Sequence, residues 1–153
     1  MDAAGYWLDG KTLRAADGTQ ISLELLVQRR EDERLALAYR RMLAQIGIDL
    51  SVRLVDASQY QRRLQNFDFD MIIYSYYASL SPGNEQAYYW GSAAADTPGS
   101  RNYAGIKSTA VDAAIIALTA AATSDDFTAA ARALDRALMT GHYFVPLFHT
   151  NKQ

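Results

Sequence analysis

The sequence predicts an α/β fold with an open, mostly parallel sheet flanked by helices. Three observations favour this class of fold. Strand-like and helix-like patterns alternate over residues 21–78. The third apolar run is hydrophobic on both faces, as expected of a strand covered on both sides. The two connections are long enough for crossover helices, which join parallel strands. The chain has 153 residues, half of them hydrophobic, so we expect one α/β lobe spanning residues 1–153.

The first elements are two turns, a strand and a helix. Asp-Gly pairs at residues 9–10 and 17–18 are typical of short hairpin turns. Apolar residues alternate over residues 21–27 and predict a strand. An amphipathic helix is predicted over residues 31–46, with Gly47 at its C-terminal cap. Its buried face is predicted from residues at helical spacing: Leu35, Tyr39, Met42 and Ile46.

Two further strands and a short helix complete the predicted sheet. Residues 49–55 predict the second strand, and Asp56 is a suitable N-terminal cap for the helix that follows. Residues 68–78 predict a long central third strand. Ligands of open parallel sheets lie beyond the carboxyl ends of the strands, where the strand order switches. For the order second-first-third, the crevice would lie between residues 28–30 and 78–81.

The rest of the chain predicts a long loop, two helices and a final strand. Residues 79–104 have no sustained period and are rich in Gly, Asn, Ser and aromatic residues. One helix follows Ser108, burying Val111, Ile115 and Leu118. A second is capped by Ser124, ends at Gly141 and buries Phe127, Ala131, Leu134 and Leu138. Residues 143–149 predict a strand interrupted by Pro146, which favours an edge position.

The composition excludes several functions. The net charge is −2, and the paired arginines lie beside acids or on helix surfaces, so we expect no nucleic-acid partner. There is no cysteine, and no apolar run reaches the ~20 residues of a membrane span. His142 and His149 lack the spacing of metal ligands. No nucleophile elbow or phosphate-binding glycine loop is present. We therefore predict no catalytic residue, no metal and no cofactor.

Two features leave alternatives open. Asp68 and Asp70 would share one face of a strand and, with Glu85, could serve a small hydrolase or lyase. A solvated strand start is the simpler interpretation. Tyrosines and tryptophan offer broad apolar faces with a polar tip, which suits either ligand contact, core packing or a stand-alone protein-interaction domain. The aromatic residues concerned are Tyr74, Tyr76, Tyr77, Tyr88, Tyr89, Trp90 and Tyr103.

Three stretches of sequence resemble a known family. They read SYYASLSPGNEQAYYWGSAAAD at residues 75–96, PGSRNYAGIKSTAVDAAI at 98–115 and LAQIGIDLSVRLVDASQYQRRLQNFDFDM at 43–71. They are similar to the family 5 extracellular solute-binding proteins, which are oligopeptide and dipeptide ABC transporter substrate-binding proteins, and within them to the YejA-like branch. The resemblance implies a three-layer lobe of the periplasmic-binding-protein type II fold. It also implies that this chain is the C-terminal, ligand-facing lobe of a longer two-lobe protein.

The same resemblance implies location and partners. The expected location is the periplasm. The first residues lack the basic and apolar regions of an export signal, so we expect such a signal upstream in the longer parent. The expected partners are a small peptide or peptide-like ligand, the N-terminal lobe of the parent chain and the permease subunits of an ABC transporter. No chemistry on the ligand is expected.

The predicted ligand-binding residues follow from the resemblance and from the crevice. Many oligopeptide-binding relatives carry Trp-x-Ala-Asp where this chain has Tyr76-Tyr77-Ala78-Ser79. Tyr76 keeps an aromatic contact, whereas Ser79 cannot supply the negative charge that pairs with a peptide amino terminus. Glu85 is the candidate replacement. The predicted set is Tyr76, Tyr77, Ser79, Asn84, Glu85, Trp90, Arg101 and Asn102.

Overall fold

The computed structural model describes residues 5–76 and 81–147. The chain divides after Tyr76 into two compact units, called unit 1 and unit 2 below. The proposal that residues 1–153 form a single lobe stays a prediction. Within the described ranges, no helix is both long enough and apolar enough to cross a membrane.

Unit 1 begins with the hairpin expected at the first Asp-Gly pair. Strand β1 (Trp7–Asp9) pairs antiparallel with β2 (Thr12–Arg14). The Arg14 guanidinium donates to the Asp9 carboxylate at 2.9 Å and to the Gly18 carbonyl at 2.8 Å. The second Asp-Gly pair also forms a turn, in which the Asp17 carboxylate accepts from the Thr19 N–H at 2.9 Å.

A three-stranded parallel sheet follows, as expected. It contains β3 (Ser22–Val27), β4 (Asp49–Leu54) and β5 (Met71–Ile72), in the order β4-β3-β5. This is the second-first-third order on which the crevice depends. The prediction of a long central strand over residues 68–78 is wrong, because only two of its described residues pair with β3 and β3 itself lies in the middle. Residues 77 and 78 lie outside the described range.

Helix α1 (Arg30–Gln45) packs on one face of this sheet, and α2 (Ala57–Gln65) follows β4. The Asp56 carboxylate caps α2 by accepting from the Gln59 N–H at 2.9 Å. Leu26, which points to the other face of β3, is fully buried as well. A strand buried on both faces is the expected centre of such a sheet. The core between α1 and the sheet contains Leu25, Val27, Ala36 and Leu50, with Leu23, Tyr39, Leu43, Val52, Met71 and Ile73 packed against it.

The C-terminal end of α1 fits its sequence signal. Gly47 has φ +83 and donates to the Ala44 carbonyl, and Ile48 donates to the Leu43 carbonyl. These are the two hydrogen bonds of the Schellman motif, which requires a left-handed residue. A side chain at Gly47 would also collide with the hairpin, since its Cβ would lie 2.6 Å from the Leu13 nitrogen.

The predicted buried face of α1 is wrong for three of its four residues. Leu35, Met42 and Ile46 are exposed, whereas Ala36, Tyr39 and Leu43 pack towards the sheet. Two apolar rows run along this helix, about 100° apart. The pattern favoured the row with the larger side chains, but the core accepts the row that contains Ala36, which is fully buried.

Unit 2 is helical in its described residues. It contains α3 (Glu85–Trp90), a 3₁₀ turn (Ser92–Ala94), α4 (Thr109–Ala120) and α5 (Ser124–Thr140). The expectation of residues 79–104 as an aperiodic loop therefore missed α3. The predicted strand over residues 143–149 is wrong for residues 143–147, which form no strand and whose apolar side chains are largely exposed. Residues 148 and 149 are outside the described range.

Helices α4 and α5 pack against each other. The Ser108 hydroxyl caps α4, and Val111, Ile115 and Leu118 are buried as expected. Leu134 and Leu138 are buried on α5 as expected, whereas Phe127 and Ala131 are only partly buried and Ala130 is buried instead. The cap of α5 is Thr123 rather than Ser124, because the Thr123 hydroxyl accepts from the Asp126 N–H and donates to the Asp126 carboxylate.

We expect Leu50→Ala to lower the free energy of unfolding by about 2–5 kcal/mol, since Leu50 is fully buried on β4 and the change leaves a cavity. Urea denaturation followed by circular dichroism measures the change. Ile116→Ala on the exposed side of α4 is the control and should change stability by less than about 0.5 kcal/mol. Equal effects of the two substitutions would contradict the described core.

Candidate functional site

The carboxyl edge of the unit 1 sheet is the place where the topology predicts a ligand. The chain leaves β3 through α1 to reach β4 on one side, and returns through α2 to reach β5 on the other. The strand order therefore switches between β3 and β5, which is where ligands of open parallel sheets bind. Residues 28–30 follow β3 at this edge. The other predicted flank of the crevice is residues 78–81, of which residues 78–80 lie outside the described range.

Arg29 and Asp32 form an ion pair at the start of α1. The Arg29 Nε lies 2.8 Å from Asp32 Oδ2, and its Nη2 lies 2.9 Å from Oδ1. The two parallel bonds fix the plane of the guanidinium. The Arg29 side chain is 64% exposed, whereas that of Asp32 is 16% exposed. The pair thus places a held positive group at the surface beside the end of β3.

Tyr60 of α2 supports the end of β5. Its hydroxyl donates to the Ile73 carbonyl at 3.1 Å. Burial, with the nearby charge of Asp32 as a further cause, raises the pKa of Tyr60 to about 12. The hydroxyl therefore stays protonated at physiological pH and remains a hydrogen-bond donor. The sequence predicts only a short helix after Asp56, and periodic burial along a helix does not indicate that the Tyr60 hydroxyl holds the end of β5.

Tyr74 and Tyr76 closely follow Ile73, the residue whose carbonyl accepts the Tyr60 hydrogen bond. The rings of Tyr74 and Tyr76 meet edge to face, with centroids 4.9 Å apart. Tyr76, the main predicted contact, is partly buried and lies just beyond the carboxyl end of β5. Aromatic rings with polar tips can pack on apolar parts of a ligand and hydrogen-bond its polar groups. The predicted contacts Tyr77 and Ser79 lie outside the described residues.

In unit 2, Asn84 and Glu85 stand at the start of α3. Asn84 is exposed, and its side chain forms no capping hydrogen bond. The Glu85 carboxylate accepts from the Gly83 N–H at 2.9 Å and from the Gln86 amide at 3.2 Å. The hydrogen bond from the Gly83 backbone is the largest cause of a lowered Glu85 pKa. Glu85 is therefore a fixed negative charge at neutral pH.

The aromatic residues of α3 serve packing and one cation contact. Trp90 is buried, its indole N–H donates to the Gln86 side chain at 3.0 Å, and its ring lies 5.7 Å from that of Phe144. Arg101 is exposed and its guanidinium lies over the Tyr89 ring, 5.9 Å from the centroid. Tyr89 itself is buried. Of the predicted contacts on this segment, Arg101 is exposed and Trp90 is buried, and the ligand contact of each stays a prediction.

Asn102 holds the backbone of its own loop. Its amide nitrogen donates to the Gly91 carbonyl at 3.0 Å and to the Ile106 carbonyl at 2.9 Å, and its oxygen accepts from the Ile106 N–H at 2.9 Å. Asn102 is fully buried. All its hydrogen-bond donors are thus satisfied within the loop, and the contact with a ligand that the sequence predicted stays a prediction.

The acids considered for catalysis are engaged elsewhere. The Asp70 carboxylate accepts from the Glu24 N–H at 2.8 Å, and that of Asp68 pairs with Arg63 at 3.0 Å. Both contacts join β5 to its neighbours rather than to a nucleophile. Within residues 5–76 and 81–147, no three histidine or acidic side chains come close enough to share a metal ion.

Comparison with known proteins defines the class. Residues 1–98 match the family described as "Bacterial extracellular solute-binding proteins, family 5 Middle", and the chain belongs to this family. The chain is 48% identical over 150 residues to "Probable peptide-binding protein YejA" of Agrobacterium fabrum, covering 97% of this chain and 24% of that protein. It is 45% identical over 153 residues to "Peptidoglycan-binding protein YepA" of the same organism, covering 100% of this chain and 25% of that protein. The similarity to the YejA-like branch is thereby confirmed.

A solved structure has the same fold. The oligopeptide-binding protein AppA from Bacillus subtilis, in complex with a nonapeptide, superposes with a TM-score of 0.81 at 18% identity, covering 93% of this chain and 28% of that one. The predicted α/β class, a lobe of the periplasmic-binding-protein type II fold, is therefore confirmed. The chain spans about a quarter of the length of the curated relatives it matches.

We expect Asn102→Ala to lower the free energy of unfolding of unit 2 by at least about 2 kcal/mol, because each buried backbone group left without a partner costs about 1–3 kcal/mol. Thermal and urea denaturation measure the loss. Asn84→Ala is the matched control: its side chain is exposed and caps nothing, so the change should stay within about 0.5 kcal/mol. A stable Asn102→Ala protein would show that the loop does not depend on this amide.

Proposed function

We propose that this chain is the C-terminal, ligand-facing lobe of the substrate-binding component of an ABC importer, which captures oligopeptides or related solutes in the periplasm. Membership of the solute-binding family carries the proposal. The relatives' names support a peptide or peptide-like ligand, one being called peptide-binding and the other peptidoglycan-binding. Peptidoglycan itself contains short peptides. The further proposed partners are the N-terminal lobe of the parent chain and the permease subunits.

The ligand is proposed to lie at the carboxyl edge of the unit 1 sheet, with Tyr76 as its main contact. The switch in strand order supports this position. The support of β5 by Tyr60 and the contact between the rings of Tyr74 and Tyr76 hold that tyrosine in place before a ligand arrives. A side chain held in advance loses less entropy on binding. Tyr77 and Ser79 belong to the same proposal through the resemblance.

The polar candidates of unit 2 are proposed as separate contacts. Glu85 offers a fixed negative charge suited to an amino group of the ligand, and Arg101 offers an exposed guanidinium suited to a carboxylate. Asn84 is exposed next to Glu85. Trp90 and Asn102 are proposed to act through the loop that they pack or bond, so their replacement should alter stability before it alters affinity.

We expect Tyr76→Ala in the full-length parent protein to weaken peptide binding by about 1–3 kcal/mol, the range for losing a packed aromatic contact. Isothermal titration calorimetry with a set of peptides, including peptidoglycan peptides, measures the affinity at a temperature where the wild-type and Tyr76→Ala proteins are both folded. Tyr6→Ala removes an exposed tyrosine beside β1 and should leave affinity unchanged. Unchanged affinity in folded Tyr76→Ala would place the ligand elsewhere.

We also expect binding without turnover. The carboxylates of Asp68 and Asp70 are committed to contacts of β5, so neither is positioned as a general base. Incubation of the full-length protein with peptides and esters, followed by mass spectrometry, should return every compound intact. Saturable hydrolysis that disappears in Asp70→Asn would establish the hydrolase alternative instead.

A further inference from the structure

Three large apolar side chains of α1 form an exposed row outside the core that α1 forms with the sheet. Leu35, Met42 and Ile46 are 39%, 63% and 43% exposed. At about 3.6 residues per turn, residues spaced by seven and four lie in one line along a helix. The three residues therefore lie in one line, an apolar stripe beside the face that packs on the sheet.

The hairpin extends this stripe beyond the end of the helix. Leu8 of β1 is 56% exposed. Its side chain lies against the C-terminal end of α1, since a Cβ built on Gly47 would be 3.0 Å from Leu8 Cδ2. Gly47 directly follows Ile46. Leu8, Leu35, Met42 and Ile46 are called the α1 patch below. Contiguous exposed patches of large apolar side chains usually mark a contact surface.

Basic residues border one long side of the α1 patch, and the exposed Glu31 lies at its N-terminal end, four residues before Leu35. Arg34 and Arg41 are exposed and are spaced by seven residues, so they form a second line two turns long, next to Leu35 and Met42 and away from the sheet. A surface with an apolar centre and a basic border fits a segment with an apolar face flanked by Asp or Glu.

We propose that the α1 patch is covered, in the full-length protein, by another segment of the same polypeptide that lies outside residues 1–153 and presents an apolar face flanked by acidic residues. The chain spans about a quarter of its curated relatives, so most of a polypeptide of that length is available as the occupant. The patch also lies on the helix that directly follows β3, within the part of the chain that matches the family. The proposal rests on family membership and patch chemistry, and is independent of which ligand is bound.

Cysteine labelling tests the proposal, because residues 1–153 contain no cysteine. Met42→Cys and, as the matched control, Ala44→Cys are made in the full-length protein. Ala44 is exposed on the opposite side of the same helix. The rate of alkylation by a small thiol reagent is followed at the labelled peptide by mass spectrometry, in native and in urea-unfolded protein. Covered sites react only after local opening. We therefore expect the labelling rate of Met42→Cys in the native protein to be at least about tenfold below its rate in the unfolded protein. The two rates of Ala44→Cys should stay within about threefold of each other.

Three outcomes decide the matter. Protection at Met42→Cys that is independent of protein concentration supports an intramolecular occupant. Protection that disappears on dilution assigns the patch to a second copy and overturns the proposal, as does equal reactivity at the two sites. Circular dichroism checks folding, and if Met42→Cys does not fold, the labelling rate of Leu35→Cys is measured instead.

Arg41→Glu should raise the labelling rate at the protected cysteine, because it would repel an acidic residue of the covering segment. An unchanged rate would contradict the proposal that this segment is flanked by acidic residues.

Discussion

β5 pairs with β3 through only two residue pairs, so its position depends on side chains placed around the pairing. Just before β5, the Asp70 carboxylate accepts from the Glu24 N–H of β3 at 2.8 Å. Arg63 of α2 lies 2.7 Å from the Glu24 carboxylate and 3.0 Å from that of Asp68. The Arg63 and Glu24 side chains are only 14% and 23% exposed, so this pair is shielded from solvent more than an ordinary surface ion pair, whereas the Asp68 side chain is 68% exposed. A short strand held in this way needs few backbone hydrogen bonds.

The far end of β5 is held by a different kind of contact, close in sequence to the proposed ligand contact Tyr76. The Tyr60 hydroxyl donates to the Ile73 carbonyl, and the buried Tyr60 and Leu64 anchor α2 beneath it. The backbone after Ile72 is irregular, and this bond helps to fix the direction in which the chain leaves the sheet. Tyr74 and Tyr76 follow within three residues. The helix between β4 and β5 therefore does more than connect strands, because it sets where the aromatic pair stands.

In unit 1, an element could be predicted where its own apolar residues repeat with the period of a helix or a strand. β3, α1, β4 and α2 were found from their periods, and their ends from Gly47 and Asp56. The length of β5 could not be found in this way, because an apolar run does not say how many of its residues have a strand beside them. In unit 2, the role of Asn102 depends on two carbonyls and an N–H brought together by a folded loop. A hydrogen-bonding role of this kind leaves no periodic pattern in the sequence. An asparagine side chain is suited to a ligand contact as well as to bonding its own loop.

The misassigned face of α1 has a different physical origin. Periodicity weighs side chains by hydrophobicity, so it favours the row with Leu35 and Met42 over the row with Ala36 and Leu43. Close packing of a helix on a sheet favours a small residue where the backbones approach, and Ala36 is fully buried there. Both rows are nevertheless apolar, and a helix that needed only one buried face would carry polar residues on the other. The described sheet accounts for the burial of one apolar row, and the cover proposed for the α1 patch would account for the other. Hydrophobic periodicity indicates that a row is suited to burial, but the element that buries it has to be read from the packing.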